Sequence, residues 1–179
     1  MSGRKIDGAV ALVTGANRGI GLAIVEALLQ GGAKKVYAGA RNPKSLEGLV
    51  KRHGDRLVPL KLDVTDVEQV GSAVRDAGDV DLVFNNAGVA EATQLTGEST
   101  LEQARREMEV NYFAPLTLTQ AFAEGLAARG GAVVNVSSIA GLTNFPFVPT
   151  YIASNAAVHS HTPGSRILLG SQGVAVFGV

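Results

Sequence analysis

Apolar residues follow two alternating rhythms along the chain. Short runs that are apolar almost throughout, as strands covered on both faces are, lie at residues 9–14, 35–40, 57–62, 80–84, 132–137 and 174–179. Between them the spacing turns helical. Over residues 19–30, Ile20, Ala23, Ile24, Ala27 and Leu28 recur three and four apart, and Gly31-Gly32 supplies a stop. A helix over 43–53 carries Pro43 in its first turn. Thr65 is the predicted N-cap of the next, which places Val67, Val70, Ala73 and Val74 on one face. Residues 99–108 and 111–129 read as two further helices. Strands separated by helices of crossover length predict an α/β chain, a doubly wound parallel sheet with helices on both faces. No repeat or linker divides it, so residues 1–179 are expected to form one domain.

The segment from Tyr151 to Gly173 interrupts the rhythm. A helix is expected to return the chain to the sheet there, and residues 151–160 suit it. His161-Thr162-Pro163-Gly164-Ser165 then puts a proline and a glycine in the helix interior. These cost ~3 and ~1 kcal/mol relative to alanine, so the helix is expected to end, kink or become disordered at this point.

Composition narrows the classes. The chain has 179 residues, with 16 Lys and Arg against 16 Asp and Glu. A zero net charge offers no basic footprint for nucleic acid. No apolar run is long enough to span a membrane, and residues 9–13 are too short for a signal peptide, so a cytoplasmic protein is expected. The absence of cysteine removes disulfides, thiolate metal sites and a thiol nucleophile. His159 and His161 do not share a helical face, so no metal site is expected. His53 reads as a solvated helix end, and Arg105, Arg106, Glu107 and Glu109 as an exposed helix face.

Candidate chemistry begins at Thr14-Gly15-Ala16-Asn17-Arg18-Gly19-Ile20-Gly21, between the first strand and the first helix. Glycines there let the backbone turn sharply and let a pyrophosphate approach, while the helix N-terminus presents free N–H groups to the anion. The same residues can serve any tight strand-to-helix turn. The second strand ends Ala38-Gly39-Ala40-Arg41, without the acidic residue that would hold an adenosine ribose. Arg41 and Arg18 can instead pair with a 2′-phosphate, which favours NADP(H) over NAD(H).

The turn resembles the cofactor motif of the short-chain dehydrogenase/reductase family, whose glycines are spaced Gly-x-x-x-Gly-x-Gly. The resemblance extends through Leu62-Asp63-Val64 after the third strand, Asn85-Asn86-Ala87-Gly88 after the fourth, Asn111, and Ser138 thirteen residues before Tyr151. It implies a Rossmann fold in which Gly15, Asn17, Arg18, Gly19, Ile20, Gly21, Arg41, Asp63, Val64, Asn86, Ala87, Gly88, Tyr151 and Asn155 line the cofactor. Asp63 could equally cap the turn that follows it. The implied activity is hydride transfer between nicotinamide and a small-molecule carbonyl or alcohol. Ser138 would hold the substrate oxygen and Tyr151 would exchange a proton with it.

Two departures qualify the implied activity. The family's lysine four residues after the tyrosine is Asn155 here, which can donate to a ribose hydroxyl but carries no charge to favour a phenolate. Relatives also continue past the sixth strand into a substrate lid and a final strand, whereas this sequence stops at Val179, so the substrate is not legible. An impaired oxidoreductase is therefore expected. The alternative is a catalytically silent NADP(H)-binding sensor or partner-binding protein. The resemblance implies a homo-oligomer through the helices after the fourth and fifth strands, against which Pro163-Gly164 and the lost strand stand. The sixth strand is expected to be an open edge.

Overall fold

The computed structural model describes residues 5–91 and 96–179. Six strands, β1 (Val10–Thr14), β2 (Lys35–Ala40), β3 (Leu57–Lys61), β4 (Leu82–Asn85), β5 (Ala132–Asn135) and β6 (Ala175–Gly178), form one sheet in the order β3-β2-β1-β4-β5-β6. Every neighbouring pair is parallel, so the doubly wound expectation holds. Pro59, which cannot donate to a ladder, falls in the edge strand β3.

Alternation along the strands builds the two layers. Val10 and Leu12 of β1, with Val83 and Val133, pack on α3 (Val67–Asp76) and α5 (Ala114–Arg129) through Val70, Ala73, Leu118, Phe122 and Leu126. Ala11 and Val13, with Val36 and Ala38, pack the other way, on α1 (Gly19–Gln30) and α2 (Glu47–His53) through Val25, Leu28, Leu29 and Leu49. Each fully buried side chain of this size contributes roughly 1.5–3 kcal/mol. The remaining helices are α4 (Thr100–Met108) and α6 (Pro149–Gly170), the latter on the α3 and α5 side.

Several local expectations change. Asp66, not Thr65, caps α3, its Oδ1 accepting from the N–H groups of Glu68 and Gln69 at 3.0 and 3.1 Å. A carboxylate is the stronger acceptor, and Thr65 turns back to Asp63 instead. Val67 then stands at the first helical position, 75% exposed, while Val70 and Ala73 are buried. Pro43–Leu46 is a 3₁₀ turn ahead of α2, and α4 and α5 are joined by a π-helical turn, Glu109–Phe113, rather than by a break. Glu107 is fully buried, not on an exposed face, and His53 is half-buried with its Nε2 shielded and unpartnered.

The largest correction is α6, which runs through Pro163 to Gly170. Pro163 and Gly164 sit on its exposed side, where water can take the His159 carbonyl that proline cannot serve. On the other side Ser154, Asn155, Val158, Thr162 and Ser165 are buried. Thr162 accepts from Asn135 at 3.1 Å and Ser154 from Asn111 at 2.9 Å. Packing and buried hydrogen bonds thus outweigh an intrinsic penalty of about 4 kcal/mol.

β6 is an outer strand of the sheet among the described residues, and Arg166 Nε donates to the Val176 carbonyl on it at 2.8 Å. Among the described residues no helix is long and apolar enough to cross a membrane.

Candidate active site

The chain leaves β1 toward β2 on one side and returns to β4 on the other, so a crevice opens where the carboxyl ends of β1 and β4 diverge. It holds a cleft of about 1110 Å³. The residues lining it come from the glycine-rich turn, the ends of β2, β3 and β4, the π turn and the start of α6.

Thr14 closes the crevice floor. Its Oγ1 donates to the Phe84 carbonyl at 3.2 Å and accepts from the N–H groups of Asn86 and Ala87, each at 2.9 Å. Asn86 Nδ2 donates to the Thr14 carbonyl at 2.8 Å. The two central strands are therefore locked at the height of the turn. Gly15 has φ +63°, and a Cβ there would lie 3.1 Å from the Ala87 Cα. A Cβ on Gly21 would lie 2.2 Å from the Gly15 carbonyl oxygen, closer than any side chain tolerates.

The start of α1 carries no side-chain cap and no acidic residue in its first turn. Its first N–H groups therefore point into the cleft without a side-chain acceptor, and an anion there completes the cap. Ile20 is 65% exposed yet lines the same cleft, an apolar surface placed where a ligand would cover it. Arg18 and Arg41, both exposed, line the β2 side with Asn42 and Ser45. Asp63 lines the cleft, but its Oδ1 already accepts from the N–H and the hydroxyl of Thr65 at 3.1 and 2.8 Å. Uncapped helix, tight glycine cradle and paired guanidiniums fit a phosphate-bearing dinucleotide.

At the other end, Asn111 sits in the π turn, a geometry that recurs at functional sites. Its side chain accepts from Val89 N at 2.9 Å and donates to the Val89 carbonyl at 2.8 Å and to Ser154 Oγ. Buried Glu107 accepts from Glu91 N at 2.9 Å, so two side chains of this helical stretch hold the cleft wall at Val89 and Glu91. Tyr151 occupies the first turn of α6. Its carbonyl accepts from Ser154 Oγ at 2.8 Å and Asn155 Nδ2 at 2.9 Å, so the Asn155 amide is turned back along its own helix.

Every predicted cofactor residue lines this one cleft, as do Asn111, Tyr151 and Asn155. Ser138 does not; its neighbour Ser137 does. Ser138 Oγ accepts from Ala140 N at 3.1 Å, capping the 3₁₀ turn Ile139–Gly141. That leaves the hydroxyl proton free to donate. Sequence reasoning missed the polar lining residues Asn42, Ser45, Thr65, Arg106, Glu109 and Ser137. Ser137, next to Ser138, carried a sequence signal.

The family model described as short chain dehydrogenase matches residues 9–179. A short chain dehydrogenase from Burkholderia cenocepacia, solved in complex with NADP, is 42% identical and superposes with a TM-score of 0.91 over 98% of this chain and 72% of its own. Galactitol 2-dehydrogenase of Agrobacterium fabrum is 33% identical over 96% of this chain and 69% of its own length. An NADPH-dependent 1-acyldihydroxyacetone phosphate reductase of Saccharomyces cerevisiae is 33% identical over 88% of this chain, which spans 55% of that protein. With the turn, the strand order and the cleft agreeing with these matches, the chain belongs to the short chain dehydrogenase family of oxidoreductases.

Proposed function

We propose that the cleft binds NADP(H) in preference to NAD(H) and serves hydride transfer between nicotinamide and a carbonyl or alcohol, at a rate limited by Asn155. The observation that carries the cofactor preference is the pair Arg18 and Arg41 on the β2 side of the cleft, with no carboxylate at the end of that strand. Two guanidiniums reward a 2′-phosphate with charge-assisted hydrogen bonds, and an aspartate or glutamate there would repel it. The NADP in the Burkholderia relative supports the same reading.

The bound nucleotide supplies or accepts the hydride. The chain's own residues do the rest. The α1 N-terminus and the glycine turn hold the pyrophosphate. The Tyr151 hydroxyl donates a proton to the substrate oxygen during reduction, and Ser138, just outside the cleft lining next to Ser137, would hold that oxygen with its uncommitted hydroxyl proton. Asn111, through Ser154 and Val89, keeps α6 and the cleft wall in register. Asn155 brings no positive charge to the phenol, so oxidation, which needs a phenolate base, suffers more than reduction. A second reading follows from the same residue: with its amide committed to the Tyr151 carbonyl, the chain would bind NADP(H) as a sensor and turn over nothing.

Fluorescence titration with NADPH and NADH tests the cofactor assignment. NADPH should bind more tightly, and Arg41→Ala should weaken NADPH by roughly 10- to 100-fold, the range of one charged hydrogen bond, while leaving NADH unchanged. Equal affinities for the two nucleotides would overturn the assignment.

A further inference from the structure

His159 lies on α6, two turns beyond Tyr151. Its Nε2 is 2.9 Å from the Ser138 carbonyl oxygen and 3.3 Å from Ser137 Oγ. A carbonyl only accepts, so Nε2 carries the hydrogen and His159 is the donor. Ser137 Oγ in turn donates to the Val179 carbonyl at 3.2 Å. One ring nitrogen thus ties the end of β5, and through Ser137 the exit of β6, to the helix that carries Tyr151.

The surrounding packing gives the tie little room. A Cβ on Gly141 would lie 2.5 Å from His159 Cδ2 and 2.7 and 2.8 Å from the Asn155 and Ala156 backbone. The 3₁₀ turn after Ser138 therefore lies directly on α6. The Ser138 carbonyl accepts from His159 and, within the 3₁₀ turn, from the Gly141 N–H at 2.9 Å, while its Oγ accepts from Ala140 N. The Gly141 bond is local to the turn, the His159 bond ties that turn to α6, and the Oγ bond fixes the rotamer while leaving the hydroxyl proton to donate.

We propose that His159 is a positioning residue that sets Ser138 relative to Tyr151 through the Nε2–H bond to the Ser138 carbonyl. The inference rests on the hydride-transfer reading for its consequence but not for its geometry. Nothing in it requires a change of charge on the ring. An amide nitrogen at the same reach should serve in its place, and an apolar side chain of similar bulk should not.

The test compares His159→Gln and His159→Leu, each in the natural chain and with Asn155→Lys. Hydrogen exchange at the Ala140 and Gly141 amides reads the position of the turn. His159→Leu should speed that exchange by about tenfold, the factor carried by one hydrogen bond of ordinary strength, and His159→Gln should keep the protection. In the Asn155→Lys background, with 4-nitrobenzaldehyde as the carbonyl probe, His159→Leu should lower kcat by about the same factor with the NADPH Kd unchanged. Unchanged exchange in His159→Leu would overturn the proposal. So would a glutamine variant as impaired as the leucine one, because the ring's bulk would then be what matters. Failure of the hydride-transfer reading would show separately, as no turnover in the Asn155→Lys chain with His159 intact, while the exchange result still decides the role of His159.

Discussion

At the β1 and β4 end of the cleft, the recognition elements belong mostly to the backbone: a left-handed Gly15, a Gly21 with no room for a Cβ, an uncapped helix start, and strands pinned by Thr14 and Asn86. At the α6 end the candidate groups are side chains, Asn111, Tyr151 and Asn155 on the cleft and Ser138 beside it, held in turns and helices by local hydrogen bonds. In the first region the glycine cradle works by shape and dipoles, which the fold provides once the glycines are present, and Arg18 and Arg41 add charge at its rim. On the hydride-transfer reading the second needs a charge beside the phenol, and a single substitution can remove that charge while the helix around it stays intact. Asn155 is buried and bonded, so the helix is intact around it. The two ends can therefore part company, with binding kept and turnover reduced.

The sharpest way to break that contrast is Asn155→Lys. A cation beside the phenol should raise turnover of NADPH with 4-nitrobenzaldehyde by on the order of 10²–10⁴-fold, the usual contribution of a tuned acid–base group. NADPH affinity should change far less. Steady-state rates alongside a titration check it, and equal rates before and after the substitution would show that the missing charge is not what limits the chain.

The converse substitution acts at the other end. Gly21→Ala must displace the Gly15 carbonyl, which a new Cβ would approach to 2.2 Å. Forcing a methyl into such a contact costs about 1–3 kcal/mol, so NADPH should bind roughly 10- to 100-fold more weakly. Far-ultraviolet circular dichroism should show the sheet and helices retained. If affinity is unaffected, the glycine cradle is not where the nucleotide lies.

The same division explains what could be read from the sequence. The six parallel strands and the nucleotide end of the cleft followed from apolar runs and from glycines whose spacing has a geometric cause, so that end was legible. Helix α6 was not. Pro163 and Gly164 signal a break, and only the buried Val158, Thr162 and Ser165 on the opposite side keep the helix whole. Those are tertiary contacts, and no local pattern announces them. Glu107 misled in the same way: charged neighbours suggested a solvated face, whereas its carboxylate is turned inward to the Glu91 amide. Ser138 was singled out by its spacing from Tyr151, but the tie through His159 lies across 21 residues and two elements.

The smallest effect expected concerns the amino ends of the strands, opposite the cleft. Lys35 Nζ donates to Asp79 at 2.7 Å and to the Tyr37 hydroxyl at 2.9 Å, and that hydroxyl donates to Asp79 at 2.8 Å. Burial pushes the Asp79 carboxyl up, but the bonds from Lys35 and Tyr37 outweigh it and hold it below the usual range. The same bonds, led by the one to Asp79, hold the Lys35 ammonium above its usual value. A depressed carboxyl adds stability that is present above its unfolded value of about 3.9 and disappears as pH falls through the folded one. The raised ammonium adds stability below about 10.4 that is lost in stronger alkali. Because Lys35 and Asp79 are partly exposed, the gain should stay within roughly 0–1 kcal/mol. In thermal unfolding from pH 6 to pH 3 the natural chain should therefore start with a slightly higher Tm than Asp79→Asn, and the gap should narrow once the pH falls below about 3.9. Asp66, whose carboxyl is also lowered, first by the Gln69 N–H, destabilises both proteins alike in acid, so their difference isolates Asp79. Parallel curves would mean that this cluster anchors β2 by packing of Tyr37 alone, and that acid does not act on the nucleotide end through it.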